Sequence, residues 1–265
     1  MGRRPMTTPP AVRVANRSLI SYRKIWRANV MAAFVQPLLY LLGFGVGVGA
    51  LVNRGLGDAE VLGDVSYFAF YSSALLATTA MFTAGQEAMW PTMDGFRWSN
   101  AYRAMIATPI EPADVATGLA LYFAVRTAVG ASGVALTLAL FGDTRTWGLV
   151  AAVPAAVMTG LAFALPLAAW TATRTGDASF PAILRFGMVP MFLFAGAFYP
   201  IELLPQALQP VAWVTPLWHG VELCRGVVLG SLSVSRGLWH LGTLTVFVVG
   251  GWVACTMTFS RSLKP

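Results

Sequence analysis

The sequence predicts an all-α integral membrane protein with six transmembrane helices, and three observations carry that prediction. Hydrophobic residues make up 57% of the 265 positions and charged residues only 11%, against about 25% charged in an ordinary soluble domain. Mean hydropathy is +0.66, and there is too little polar surface to cover a globule of this size. Six apolar runs near 30–52, 65–88, 117–140, 149–172, 182–199 and 238–259 match the roughly 17–25 residues that a helix needs to cross a bilayer. The basic residues flank those runs unevenly. With the N-terminus inside, Arg3, Arg4, Arg13, Arg17, Arg23, Lys24, Arg27, Arg97, Arg103, Arg174, Arg185, Arg261 and Lys264 are cytoplasmic, and only Arg54, Arg145, Arg225 and Arg236 are outside. That bias puts both termini in the cytoplasm. The net charge of +7 is spread along membrane flanks, so nucleic acid is not an expected partner.

Residues 1–29 are read as a cytoplasmic segment and 30–265 as the transmembrane domain. Seven Lys or Arg precede the first apolar run, which is longer than the 7–15 residues of a signal-peptide core. Within 12–27, Val12, Ala15, Leu19, Tyr22 and Trp26 recur at three- and four-residue steps, with Arg13, Arg17, Lys24 and Arg27 opposite. This is an amphipathic helix lying flat at the membrane surface, either as an anchor or as a contact for a cytoplasmic partner. In the first span, Gly43 with Gly47 and Gly45 with Gly49 form two GxxxG steps, the spacing that lets helices approach closely in lipid. The loop 89–116 is the longest cytoplasmic connection. It holds a short helix around 96–106, closed by Thr108-Pro109, with Trp98, Tyr102 and Met105 on one face. It is of a size to dock a partner.

Arg126 is the one charge read as lying well inside a span, about 12 Å from its cytoplasmic end at 1.5 Å per residue. It either faces the bundle interior or a wet cavity, or snorkels back to the inner headgroups. Between spans five and six, residues 200–226 are interrupted by Pro200, Pro205, Pro210 and Pro216. Proline breaks a helix interior, so this stretch is not a straight span. It reads as a helical hairpin of two pieces, about 201–209 and 211–224, re-entering the membrane from outside. Its Glu202, His219, Glu222 and Arg225 form a polar cluster near the outer headgroups, with Glu222 and Arg225 able to pair.

Little in the chain points to chemistry. Its two lysines, Lys24 and Lys264, stand outside any GxxxxGK[ST] sequence, so no ATP-cradling loop is present. Cys224 and Cys255 lack CxxC spacing, and neither a disulfide framework nor a metal site is expected. "GASG" at Gly130–Gly133 matches the GxSG of rhomboid-type intramembrane proteases, with Ser132 as nucleophile and His240 as base. However, both histidines of the chain follow Ser132, which leaves the oxyanion position without a candidate.

Several longer stretches resemble the ABC-2 class of ABC-exporter membrane subunits, and within it the NodJ-like permeases associated with lipo-oligosaccharide export and related antibiotic-resistance permeases. The matching stretches are "GFGVGVGALV", "VSYFAFYSSALLATTAM", "GLAFA" and "ATPIEPADVATG", the last with Thr108, Pro109, Asp114, Val115 and Gly118. Most specific is "LFAGAFYPIELLPQALQPVAWVTPLWHGVELCRG". Ala195 and Trp218 depart from the pattern, where serine and a smaller residue are usual. The resemblance implies a multi-pass protein of the bacterial plasma membrane. It has no cofactor of its own, pairs with a second permease copy or a related permease, and binds two ABC ATPase subunits that carry ATP and Mg. It also implies a coupling helix that docks on the ATPase, with Phe96, Trp98, Tyr102, Arg103, Met105, Thr108 and Pro109 as its residues. Arg126, Phe194, Phe198, Tyr199 and Trp213 are the expected substrate pathway. The expected function is export of an amphipathic glycolipid, lipo-oligosaccharide or hydrophobic drug. Multidrug or antibiotic efflux is the alternative on the same fold, and a rhomboid-like protease the distant one.

Overall fold

The computed structural model describes residues 8–24, 26–50 and 65–263; Arg3, Arg4, Arg54 and Lys264 lie outside them. Among the described residues all regular structure is helical. Helix α1 spans Pro10–Arg23 and α2 Trp26–Tyr40, which widens into π-helical turns over Leu41–Val48. Then follow α3 (Tyr67–Met93), α4 (Ala101–Ile106), α5 (Pro112–Leu138), α6 (Gly148–Thr171) and α7 (Phe180–Phe194, π-helical over Ile183–Met188). Short α8 (Gln209–Val214), α9 (Pro216–Val228) and long α10 (Val234–Leu263) complete the chain.

Helices α5, α6 and α10 are long and apolar enough to cross a membrane by length and composition. Helix α3 is equally long but carries Ser72, Ser73, Thr78, Thr79, Thr83, Gln86 and Glu87. It tolerates them because nearly its whole surface is covered by other helices. The apolar stretches Phe34–Val48 and Phe180–Phe194 are shorter, at about 1.5 Å of rise per residue well under a 30 Å hydrocarbon core. Two features account for the widened turns of α2. Pro37 removes a backbone donor just upstream, and Gly43, Gly45 and Gly47 impose no side-chain preference for tight α-turns.

Helix α6 is the centre, packed against α3, α5, α9 and α10. Close approach explains its composition. A Cβ on Gly160 would lie 2.6 Å from Thr127 of α5 and 3.2 Å from Ala84 of α3, and one on Gly251 of α10 would strike Pro166 at 2.6 Å. Helix ends are set locally. The Glu111 amide donates to Asp114 Oδ2 at 2.9 Å and Pro112 sits in the first turn of α5, a self-capping start. Thr215 caps α9 by accepting from the Trp218 amide, with Pro216 next.

Two expectations need correction here. Helix α1 turns Val14 and Ala15, not Val12, inward, and Trp26 belongs to α2 with 46% exposure. Its buried face lies against α5, where Gly118 makes room for Val14, rather than only against a membrane surface. In the 200–226 stretch, the first piece is a single 3-10 turn, Ile201–Leu203, not a helix to 209. Pro205 follows too soon for an α-helix to form. The second piece is divided by Pro216 into α8 and α9, and α9 packs on α3, α6 and α10.

Candidate functional site

Two opposite charges meet inside the bundle, Glu87 in the last two turns of α3 and Arg126 midway along α5. Arg126 Nε and Nη2 each reach Glu87 Oε1 at 2.7 Å. Tyr122, one turn before Arg126, donates its hydroxyl to Glu87 Oε2 at 2.8 Å. The guanidinium also stands 4.1 Å over the ring of Tyr22 from α1, a cation–π contact. Only 9% of the Arg126 side chain and 13% of the Glu87 side chain is exposed. Arg126 therefore does not snorkel, and it is not a solitary intramembrane charge. A carboxylate at its own depth holds it in place.

Thr79, Thr83 and Glu87 recur at four-residue steps, so one polar stripe of α3 faces α2, α5 and α7. With Gln36, Gln86 and Arg126 they line a cavity of about 200 Å³. On the other side of Glu87 lies a second cavity of about 250 Å³, bordered by Arg17, Ser18, Ser21, Tyr22 and Tyr122. Glu87 is common to both. A larger cleft of about 890 Å³ between α5 and α6, with Ser132, Leu136 and Trp147 on its walls, opens on the apolar outside of those helices. Neither residue of the ion pair is on its walls.

The expected pathway residues separate. Phe192 lines the polar cavity, and Phe198 meets it edge-on at 4.8 Å and also contacts Phe44 at 5.2 Å and Tyr71 at 5.3 Å. Phe194 and Trp213 are largely exposed and Tyr199 is half-buried; none of the three borders the Arg126 cavity. The glycine steps also divide. Gly45 and Gly49 face Phe68 and Tyr67 of α3, whereas Gly43 and Gly47 are exposed.

The four polar residues of the 200–226 stretch do not form one cluster at the surface. Arg225 is 8% exposed. It bonds Glu222 at 2.8 Å and the Gly196 carbonyl at 2.7 Å, and stacks 3.7 Å over Phe70. Gly196 can present that carbonyl because it takes a positive φ of 75°. His219 turns the other way, to His240 of α10, with Nδ1 to Nδ1 at 2.9 Å and Nε2 to the Trp213 carbonyl at 2.9 Å. A carbonyl only accepts, so His219 carries its hydrogen on Nε2. Its Nδ1 then accepts, and His240 Nδ1 donates. Glu202 is exposed. Ser132 and His240 accordingly have different neighbours: Ser132 lines the cleft between α5 and α6, and His240 packs against His219 and Trp218.

Burial, then the nearby His240, lower the proton affinity of His219, against the opposing Trp213 hydrogen bond. A base whose folded-state pKa is depressed stabilises the fold while neutral, and that contribution is lost as pH falls below its unfolded value of about 6.5. The melting temperature of the purified protein is expected to drop between pH 7.5 and about 5.5. His219→Asn should flatten that dependence; an identical slope in the variant would rule out this pair as its source.

In the 89–116 connection the residues of the short helix face in different directions. Phe96 and Tyr102 are buried; Phe96 meets Tyr102 and Phe259 of α10 edge-on, and Tyr102 stacks on Phe259. Gly95 leaves the room that the Tyr102 ring occupies. Met105 is half-buried and packs in the same cluster as Tyr102, whereas Trp98 is 53% exposed, so Trp98 does not share their face. Trp98, Arg103, Thr108 and Pro109 point outward.

A family profile described as ABC-2 type transporter matches residues 12–229. The chain is 30% identical to Nodulation protein J of Rhizobium meliloti (strain 1021), covering 96% of this chain and 94% of that one. It is 28% identical to Nodulation protein J of Rhizobium leguminosarum bv. viciae, covering 94% and 93%. It is 23% identical to a putative transport permease, ycf38, of Porphyra purpurea, covering 91% and 86%.

Proposed function

The chain belongs to the ABC-2 type transporter family, and from that premise we propose that it is the permease subunit of an ABC exporter whose ATPase is a separate chain. The observation that carries the reading is the Glu87–Arg126 pair beside a polar cavity inside the helical bundle. A helical bundle that only had to be stable would fill this space with apolar side chains, because buried charges are costly and mark pathways. The cargo is amphipathic, a glycolipid or lipo-oligosaccharide. Hydrophobic-drug efflux is the second reading, favoured by the aromatic group of Phe44, Tyr71, Phe192 and Phe198.

In this reading α2, α3, α5, α6, α7 and α10 are the six spans of a bacterial inner-membrane protein, with both termini in the cytoplasm. Two permeases, identical or related, assemble with two ATPases. The end of the bundle that carries α1 and α4 is cytoplasmic, and the α8–α9 hairpin is extracellular. Trp98, Arg103, Thr108 and Pro109 meet the ATPase, while Phe96 and Tyr102 pass its motion to α10 through Phe259. Nucleotide drives the cycle only if it binds one arrangement of the assembly better than the other.

Trp98→Asp with Arg103→Glu is expected to reduce co-purifying ATPase by about tenfold or more, the order of loss for truncating an aromatic and an arginine anchor in an interface. The melting temperature should change little, because both side chains are exposed. Undiminished ATPase recovery would place the docking surface elsewhere.

A further inference from the structure

The connection between α5 and α6 carries Arg145 and Trp147, and both border the cleft of about 890 Å³ between those helices. That volume is in the range of small-molecule sites. Away from this connection the walls are mainly apolar, with Leu136 on α5 and Leu149, Val150 and Val153 on α6. Ser132 and Leu136 also border a second, apolar hollow of about 360 Å³, which runs along α5 to Val125 and is lined on α2 by Phe34. Together they form one groove beside the half of α5 from Val125 to Leu138, about 20 Å at 1.5 Å per residue. One leaflet with its headgroups has the same depth, half of a bilayer of roughly 40–45 Å.

The polar end of the groove is held in place from behind. The Thr146 hydroxyl donates to the Val228 carbonyl of α9 at 3.0 Å, and the buried Thr144 donates its hydroxyl to the Leu138 carbonyl at 2.8 Å. Gly148 lies so close to Val227 that a Cβ would strike the Val227 carbonyl. The neighbours of Arg145 and Trp147 are thus fixed, while the two side chains themselves are left open. Trp147 is 91% exposed. Arg145 is exposed, and its guanidinium has no partner among the described residues. Among those residues no acid borders the cleft. Asp143, two positions before Arg145, borders a different hollow and accepts from the Ser66 hydroxyl at 3.2 Å.

We propose that this groove holds one anionic phospholipid of the surrounding bilayer, with its phosphate on Arg145 and an acyl chain along α5. The guanidinium fork matches the oxygens of a phosphate, and an indole beside it suits the headgroup boundary. The unmatched positive charge favours a lipid of net negative charge. A zwitterionic lipid brings a cation of its own, for which the walls offer no acid. The site gives the protein a lipid requirement separate from its cargo, which the reading above places beside the Glu87–Arg126 pair. The proposal rests on that reading only for the leaflet, the outer one.

The test is lipid retention by the purified chain, read by native mass spectrometry during titration with phosphatidylglycerol or with phosphatidylcholine of the same acyl chains. The parent is expected to hold one phosphatidylglycerol about tenfold more tightly than phosphatidylcholine, the order of one charge-assisted hydrogen-bonded contact. Arg145→Ala should abolish that preference at an unchanged melting temperature, since the side chain has no partner to lose. Arg145→Lys should keep part of it, because the charge remains. Val150→Trp fills the cleft from a position that is 67% exposed and should weaken retention of both lipids. Equal retention of the two lipids by the parent, or an undiminished preference in Arg145→Ala, overturns the site. So does unchanged retention in Val150→Trp, which would leave the groove without its chain. Efficient cross-linking of two copies through Trp147→Cys in membranes would make the cleft an interface between permeases and overturn the lipid site as well. The expected lipid preference in a chain that recruits no ATPase would keep the site and count against the exporter reading alone.

Discussion

Arg126→Ala is expected to destabilise the protein by about 3–5 kcal/mol, because it leaves the Glu87 carboxylate buried without its cation. The structure gives Glu87 one other strong partner, the Tyr122 hydroxyl, which does not neutralise it. Glu87→Ala should cost a similar amount by stranding the guanidinium. The sharper expectation concerns the double substitution. Glu87→Leu with Arg126→Met removes both charges and fills the space, and replacing a buried pair by apolar residues of similar volume is often neutral or stabilising. Stability in detergent should then return to within about 1 kcal/mol of the parent, while transport stays lost. The three variants are compared by thermal melting and by transport in proteoliposomes. If the double variant is as unstable as either single one, the pair is not an isolated charge couple. If it also transports, the pair is structural and its place beside the cavity is incidental.

Arg225→Ala is expected to cost about 2–4 kcal/mol and to loosen the α8–α9 hairpin specifically. Three contacts go at once: the Glu222 pair, the bond to the Gly196 carbonyl and the stack on Phe70. They join three separate parts of the chain, namely α9, the turn after α7 and the first turn of α3. Limited proteolysis should therefore gain cuts within 200–215 and not in the α1–α4 end. Arg225→Lys restores charge but not the two-sided fork, so it should recover less than half of the loss. Cleavage spread evenly over the protein would show that Arg225 supports the whole bundle instead.

The sequence made the fold class legible because long apolar runs, sparse charge and asymmetric basic flanks all reflect one cause, a bilayer solvent. The helix starts at Pro112 and Pro216 were missed, the expected span beginning at 117 and the expected hairpin helix running 211–224 through Pro216. Glu87 was not recognised. It stood one residue before the end of an apolar run, 65–88, whereas the helix continues to Met93. The signal was present in Thr79, Thr83 and Glu87 at four-residue steps, a polar stripe that needs a polar partner, but the partner on α5 is a tertiary fact. The directions of Phe96 and Tyr102 had the same limit. Aromatic residues on a one-turn helix can face either way, and Gly95 with Phe259 settles which. The single-cluster reading of Glu202, His219, Glu222 and Arg225 failed because residues close in sequence occupy opposite faces of α9, one toward His240 and one toward Phe70.

The most direct test of the central claim is purification of the tagged chain after co-expression with the P-loop ATPase of its own genomic neighbourhood. The expected result is a complex of two permeases and two ATPases that hydrolyses ATP. Recovery of the chain without any ATPase, folded and monodisperse in the same preparation, would contradict its role as the membrane subunit of an ATP-driven exporter.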